Sequence, residues 1–153
     1  MARWNNFSMW RGRLPHWRAD DVTYYITFRH RRALAEEETD LLFHWLMKAQ
    51  RRKLDFLVLC VLPEKTEALF RVQPQGEIEL SDVVEKAKRK AGSGIIKKTG
   101  ERYLPFYSES FDRIVRDDEE LEKLWSEIVQ APVTAGLTEE PDGWPSLFVE
   151  SAP

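Results

Sequence analysis

The stretch "VLPEKTEALF" (residues 61–70) decides how this chain is read. Pro63 and Glu64 interrupt two extended runs, and a proline there marks a turn. Beyond the turn the side chains alternate. Thr66, Ala68, Phe70 and Val72 share one strand face, and Lys65, Glu67, Leu69 and Arg71 share the other. The first set suits a core. The second places a lysine and a glutamate side by side on an open face, directly after the turn. The run before the turn, "DFLVLCVL" (55–62), is apolar on both faces, as a central strand is. The two runs therefore read as a hairpin in the middle of a sheet.

The flanking segments can be placed around that hairpin. "VTYYITFR" (22–29) sets Val22, Tyr24, Ile26 and Phe28 against Thr23, Tyr25, Thr27 and Arg29, the pattern of a half-buried strand. From 36 to 53, Leu41, Leu42, Trp45, Leu46 and Ala49 recur at helical spacing. Glutamates fill the first turn and Arg51, Arg52 and Lys53 the last, which suits the helix dipole. "PQG" (74–76) is a turn, Ser81 is placed to cap a helix running to about Ala91, and Gly92 and Gly94 interrupt it, the stretch to Lys98 either continuing after a kink or loosening. "ESFDRIV" (109–115) reads as a last short strand. Over 117–130, Leu121, Leu124, Trp125, Ile128 and Val129 form one helical stripe, which Pro132 stops. From Thr138 the chain is a turn-rich tail with Trp144, Leu147 and Phe148 available for docking.

The order β-α-β-β-α-β-α predicts an α+β fold of ferredoxin-like (RRM-like) type: a four-stranded antiparallel sheet, helices on one face, the other face open. Residues 1–137 are expected as one domain and 138–153 as a tail. A length of 153 residues buries a sufficient core without staples. The longest apolar run, 56–62, is too short to span a bilayer, and the N-terminus has no signal-like stretch, so a cytoplasmic protein is expected. Cys60, the single cysteine, lies inside that run and is expected as a buried, inert thiol. His16, His30 and His44 show no ligand spacing, so no metal is expected.

A formal net charge of −3 does not announce a nucleic-acid partner, but its distribution does more. Residues 1–32 hold seven arginines against two aspartates, and residues 86–102 hold seven lysines and arginines against one glutamate. Segregation of this kind can build a positive face on an acidic molecule, although both runs can equally be solvated surface. On the first reading Arg11, Arg13, Trp17, Arg18, Arg29, Lys88, Lys90, Lys97 and Lys98 are the candidate DNA-binding residues, cations taking phosphates and exposed rings stacking on unpaired bases. Trp17 has an alternative role, packing beside the first strand.

Three pieces of the chain, in order, carry a resemblance. "RLPHW" (13–17) followed by "YYITFR" (24–29), "LSDVVEKAKRKAG" (80–92) and "FYSESFDRIVRDDEELEKLWSEIVQAPVTAGL" (106–137) together resemble the REP-associated tyrosine transposases. These are single-tyrosine members of the HUH endonuclease superfamily, and the likeness covers about 13–137. The resemblance implies a Pro-Asn-His-hydrophobic-His stretch holding Mg or Mn, a tyrosine nucleophile on the last helix, and a third ligand one turn beyond it. This chain departs from that pattern at every such position. Pro63 matches, but Lys65 and Glu67 stand where the histidines belong, Glu127 where the tyrosine belongs, and Ala131 where the third ligand belongs. A Lys65–Glu67 or Lys65–Glu127 ion pair is expected there, with no metal and no cofactor.

The resulting expectation is a transposase-like protein that binds single-stranded or hairpin DNA, possible as a homodimer and away from membranes, without strand transfer. Two alternatives stand beside it: a protein-interaction module on the same scaffold, and an active nickase using substitute residues.

Overall fold

A computed structural model describes residues 22–52, 54–72 and 80–150. Strand β1 (Thr23–Arg29) leads to helix α1 (Glu36–Met47). Strands β2 (Leu54–Val61) and β3 (Lys65–Val72) form the central hairpin. Helix α2 (Leu80–Thr99), strand β4 (Phe111–Ile114), helix α3 (Asp118–Thr134), a 3-10 turn at Pro141–Gly143 and strand β5 (Leu147–Val149) complete the order. The sheet runs β4-β1-β3-β2-β5, and every pairing is antiparallel.

The class is the one the sequence implies, an α+β fold on an antiparallel sheet. Two particulars differ. The sheet has five strands, because the segment after Leu137 returns and pairs with β2. Trp144 anchors that return: its ring is buried, and its indole Nε1–H donates to the Val61 carbonyl at 2.9 Å. The helices also do not share a face. Helices α1 and α2 pack Leu42, Leu46, Val84, Ala87, Ala91 and Ile95 onto Ile26, Phe28, Ala68 and Phe70. Helix α3 packs Leu121, Trp125, Ile128 and Val129 onto Leu57, Val58, Cys60 and Leu69, on the reverse side.

Strand β2 serves both cores through a β-bulge. The register with β3 shifts between Phe56 and Val58, making Leu57 the extra residue. Phe56 and Leu59 thus face α1 and α2, while Leu57 and Val58 both face α3. The alternation read in β3 holds, with Ala68 and Phe70 in one core and Leu69 in the other.

Several helix limits depart from the expected ones. Helix α1 ends at Met47, short of the basic cluster, and Arg51 turns into the left-handed region at φ 65°. Ser81 falls at the second residue of α2 as described. Gly92 and Gly94 do not break α2, because they are contact points: a methyl on Gly92 would collide with Leu104, and one on Gly94 would lie 3.0 Å from Leu41 Cδ2. Helix α3 passes through Pro132 to Thr134. A proline so close to the end disturbs only the last turn, which Gly136 then closes at φ 75°. The Gly136 N–H donates to the Val133 carbonyl at 3.0 Å and the Leu137 N–H to the Pro132 carbonyl at 2.9 Å, a Schellman motif. Among the described residues, no helix is long and apolar enough to cross a membrane.

Candidate nucleic-acid interface

The β2–β3 turn is held from below by His30. Its Nδ1–H donates to the Pro63 carbonyl at 2.8 Å, which leaves Nε2 to accept from the Thr66 hydroxyl at 2.9 Å. Backbone bonds from His30 N–H to the Glu64 carbonyl and from Leu34 N–H to the Pro63 carbonyl fix the same turn. The ring is buried between Phe28 and Phe106, and that burial, with the nearby Lys88 charge, pulls its pKa down to about 4. His30 is therefore a neutral positioning group beneath the turn.

On the opposite face, Lys65 Nζ lies 2.7 Å from Glu67 Oε1. Of the two ion pairs the sequence allows, this is the one formed. The bond to Glu67 raises the lysine pKa, so the ammonium persists. Burying Trp125, Ile128 and Val129 turns the flank of α3 carrying Glu127 and Ala131, one helical turn apart, toward this pair. The four positions singled out by the resemblance, Lys65, Glu67, Glu127 and Ala131, consequently line one pocket of about 840 Å³, with Ser126, Gln130 and Leu137. Behind it, Cys60 is buried with its thiol pushed up to about 12, mainly by desolvation. It is inert.

The donors in this pocket do not suit a resident hard cation. Mg and Mn take about six oxygen ligands, whereas here the Glu67 carboxylate already faces an ammonium. Among the described residues, no three His, Cys, Asp or Glu side chains come together as a metal-ligand group.

Of the candidate DNA-binding residues, Arg11, Arg13, Trp17 and Arg18 lie outside the described residues. Lys88 must be withdrawn as a phosphate contact. It is 5% exposed, its ammonium donates to the Tyr107 carbonyl at 2.8 Å and the Ser110 hydroxyl at 3.0 Å, and it sits 4.3 Å over the Phe28 ring. Desolvation lowers its pKa, and its role is to tie the segment before β4 to α2. Lys90, Lys97 and Lys98 are exposed on α2, Lys90 over the Trp45 ring at 5.8 Å. Arg29 is exposed at the end of β1, directly across from Lys65 in register. That parity puts it on the α3 side of the sheet, away from the α2 lysines. Arg32 is committed to Glu38 and Glu101, and this pairing holds the Glu101 carboxyl at about 2.

Sequence reading missed three exposed rings, Tyr103, Tyr107 and Phe111. The signal was "RYLPFYSESF" (102–111), where aromatics crowd a segment too interrupted by proline and serine to bury them all.

Among solved structures, the chain is similar to a REP-associated tyrosine transposase bound to a REP hairpin. That match has a TM-score of 0.59 at 15% identity and covers 84% of this chain and 79% of the other. It is also similar to a candidate transposase from Deinococcus radiodurans, with a TM-score of 0.51 at 15% identity, covering 71% of this chain and 90% of that one. No protein-family model and no curated protein sequence matches. At such identity the likeness establishes a shared fold.

Proposed function

We propose that this chain is a transposase-like DNA-binding protein of the REP-associated tyrosine transposase type, which recognises single-stranded or hairpin DNA and does not cut it. The observation that carries the reading is the convergence of Lys65, Glu67, Glu127 and Ala131 in one pocket. Positions 65 and 67 share one strand face and 127 and 131 one helix flank, so the resemblance is supported by a single juxtaposition, α3 laying its pair over that of β3. Among the described residues, those lining the pocket supply no imidazole and no phenol. Tyr25, on the same sheet face and sensing the Glu67 and Lys65 charges, has its pKa raised by burial, the reverse of an activated tyrosinate. The exposed tyrosines, Tyr103 and Tyr107, precede β4 and are not on α3. A tyrosine must reach the polarised phosphorus to attack it, so neither replaces the missing nucleophile. The fold shared with a hairpin-bound transposase supports DNA as the partner.

Binding is expected to rest on the exposed α2 cations Lys90, Lys97 and Lys98, since Arg29 lies on the other side of the sheet. With about three phosphates contacted, log affinity for single strands falls against log salt with a slope of about −2. Replacing Lys97 and Lys98 by alanine should weaken all sequences alike and flatten that slope, because phosphate contacts carry no base information. Titrating a hairpin and a scrambled oligonucleotide at two salt concentrations tests this. A slope near zero refutes the DNA reading in favour of a protein-interaction module. A chelator-sensitive covalent adduct on a denaturing gel refutes the absence of cutting.

A further inference from the structure

Rings of this size are normally buried, yet Tyr103 is 61% exposed, Tyr107 47% and Phe111 58%. Single exposed rings need no explanation, whereas a group of them does. The group is interleaved with cations. The Arg31 and Arg102 guanidinium carbons lie 5.4 and 5.8 Å from the Tyr103 ring centroid. Arg31 also lines, with Arg29, Tyr107 and Phe111, an open groove of about 830 Å³ along the β1–β4 edge. Glu109 borders the same groove, and the buried Lys88 ammonium nearby offsets its charge. Protein interfaces are themselves enriched in tyrosine, phenylalanine and arginine, so the rings alone do not choose a partner. The guanidiniums beside them, Arg29 and Arg31 in the groove and Arg102 at Tyr103, supply the phosphate contacts that a single strand needs alongside stacking.

We propose that this groove binds unpaired nucleotides, with bases stacking on Tyr107 and Phe111, which line it, and on Tyr103, which adjoins it through Arg31. Phosphates are taken by Arg29 and Arg31 in the groove and by Arg102 beside Tyr103. The inference rests on the DNA-binding reading above and adds where, and through which chemistry, the unpaired strand is held. Because Arg29 faces Lys65 across β1 and β3, a strand leaving the groove passes directly to the Lys65–Glu67 pocket.

The test compares wild type with Tyr103→Ala, Phe111→Ala and Tyr103→Trp. The probes are a short oligothymidylate carrying one 2-aminopurine and a blunt duplex of the same length. Stacking on one ring is lost with each alanine, so single-strand affinity should fall roughly 5- to 100-fold. Quenching of 2-aminopurine should fall with it, while Tyr103→Trp retains both and duplex binding is unchanged. The unfolding midpoints should stay at the wild-type value, since the rings are exposed. Single-strand affinity and quenching unaffected by both alanine variants overturn the groove but leave the DNA reading standing. Wild type that binds neither probe overturns both. Sedimentation in which Phe111→Ala dissociates a dimer while DNA affinity is intact overturns the groove in favour of an interface between copies.

Discussion

Acid should weaken this fold through His30, well above the range in which its paired carboxylates titrate. The folded imidazole is held at about 4 against an ordinary 6.5, and at 6% exposure little solvent screens it. As pH falls below 6.5 the unfolded chain takes up a proton that the folded chain refuses, so stability falls with pH until about 4 and then levels. The gap amounts to about 3 kcal/mol in full, of which about 2 kcal/mol is lost by pH 5. Glu101, held at about 2 by Arg32, and Glu120, held at about 2 by the Arg116 N–H and the Arg113 guanidinium, contribute almost wholly below pH 5, so the interval from pH 7 to pH 5 reads mainly the histidine. Denaturant titrations at the two pH values should show that loss in wild type and a much flatter response in His30→Gln. Proton NMR gives a direct reading that needs no variant: the His30 ring should stay neutral down to about pH 5. A ring titrating near 6.5, or equal losses in both proteins, would refute the burial account. Because the ring fixes the Pro63 and Thr66 positions flanking Lys65, the same acid range should loosen the pocket.

Lys88→Ala should cost about 2–4 kcal/mol, since it strands the Tyr107 carbonyl and removes a buried stem, and Lys88→Met should cost less. A denaturation midpoint as little changed as in exposed Lys90→Ala would contradict that. Trp144→Phe should lose about 1 kcal/mol with the bond to Val61. Trp144→Ala should lose about 3–5 kcal/mol and free β5, read as faster hydrogen exchange at Leu147–Val149. Gly136→Ala should destabilise by about 1 kcal/mol because its φ of 75° disfavours a Cβ. An unchanged midpoint would show that the end of α3 relaxes without cost.

What the sequence determined by itself is what short-range periodicity can carry. Alternation in residues 65–72 put Lys65 and Glu67 on the face opposite Ala68 and Phe70, because neighbouring strand residues have no other choice. The hairpin, the stripe of α3 and the inert Cys60 follow from equally local patterns. Lys88 was partly legible: Val84, Lys88, Ala91 and Ile95 share one helical spacing, so it falls on the buried face of α2. Its place in a run of lysines obscured this. The tertiary structure alone decided which side of the sheet each helix covers, since an amphipathic stripe specifies that a face is buried and not against what. It alone gave β5, three residues whose strand character comes from pairing with β2 and from Trp144 beneath them. It alone turned Gly92 from an apparent helix breaker into the point where Leu104 packs close. The pocket divides the same way. The residue types at 65, 67, 127 and 131 are in the sequence, but their meeting requires α3 to lie across β2 and β3, a contact between segments some sixty residues apart. The exposure of Tyr103, Tyr107 and Phe111 is likewise a property of what packs elsewhere, because an aromatic ring reads as core until every partner for it has been accounted for.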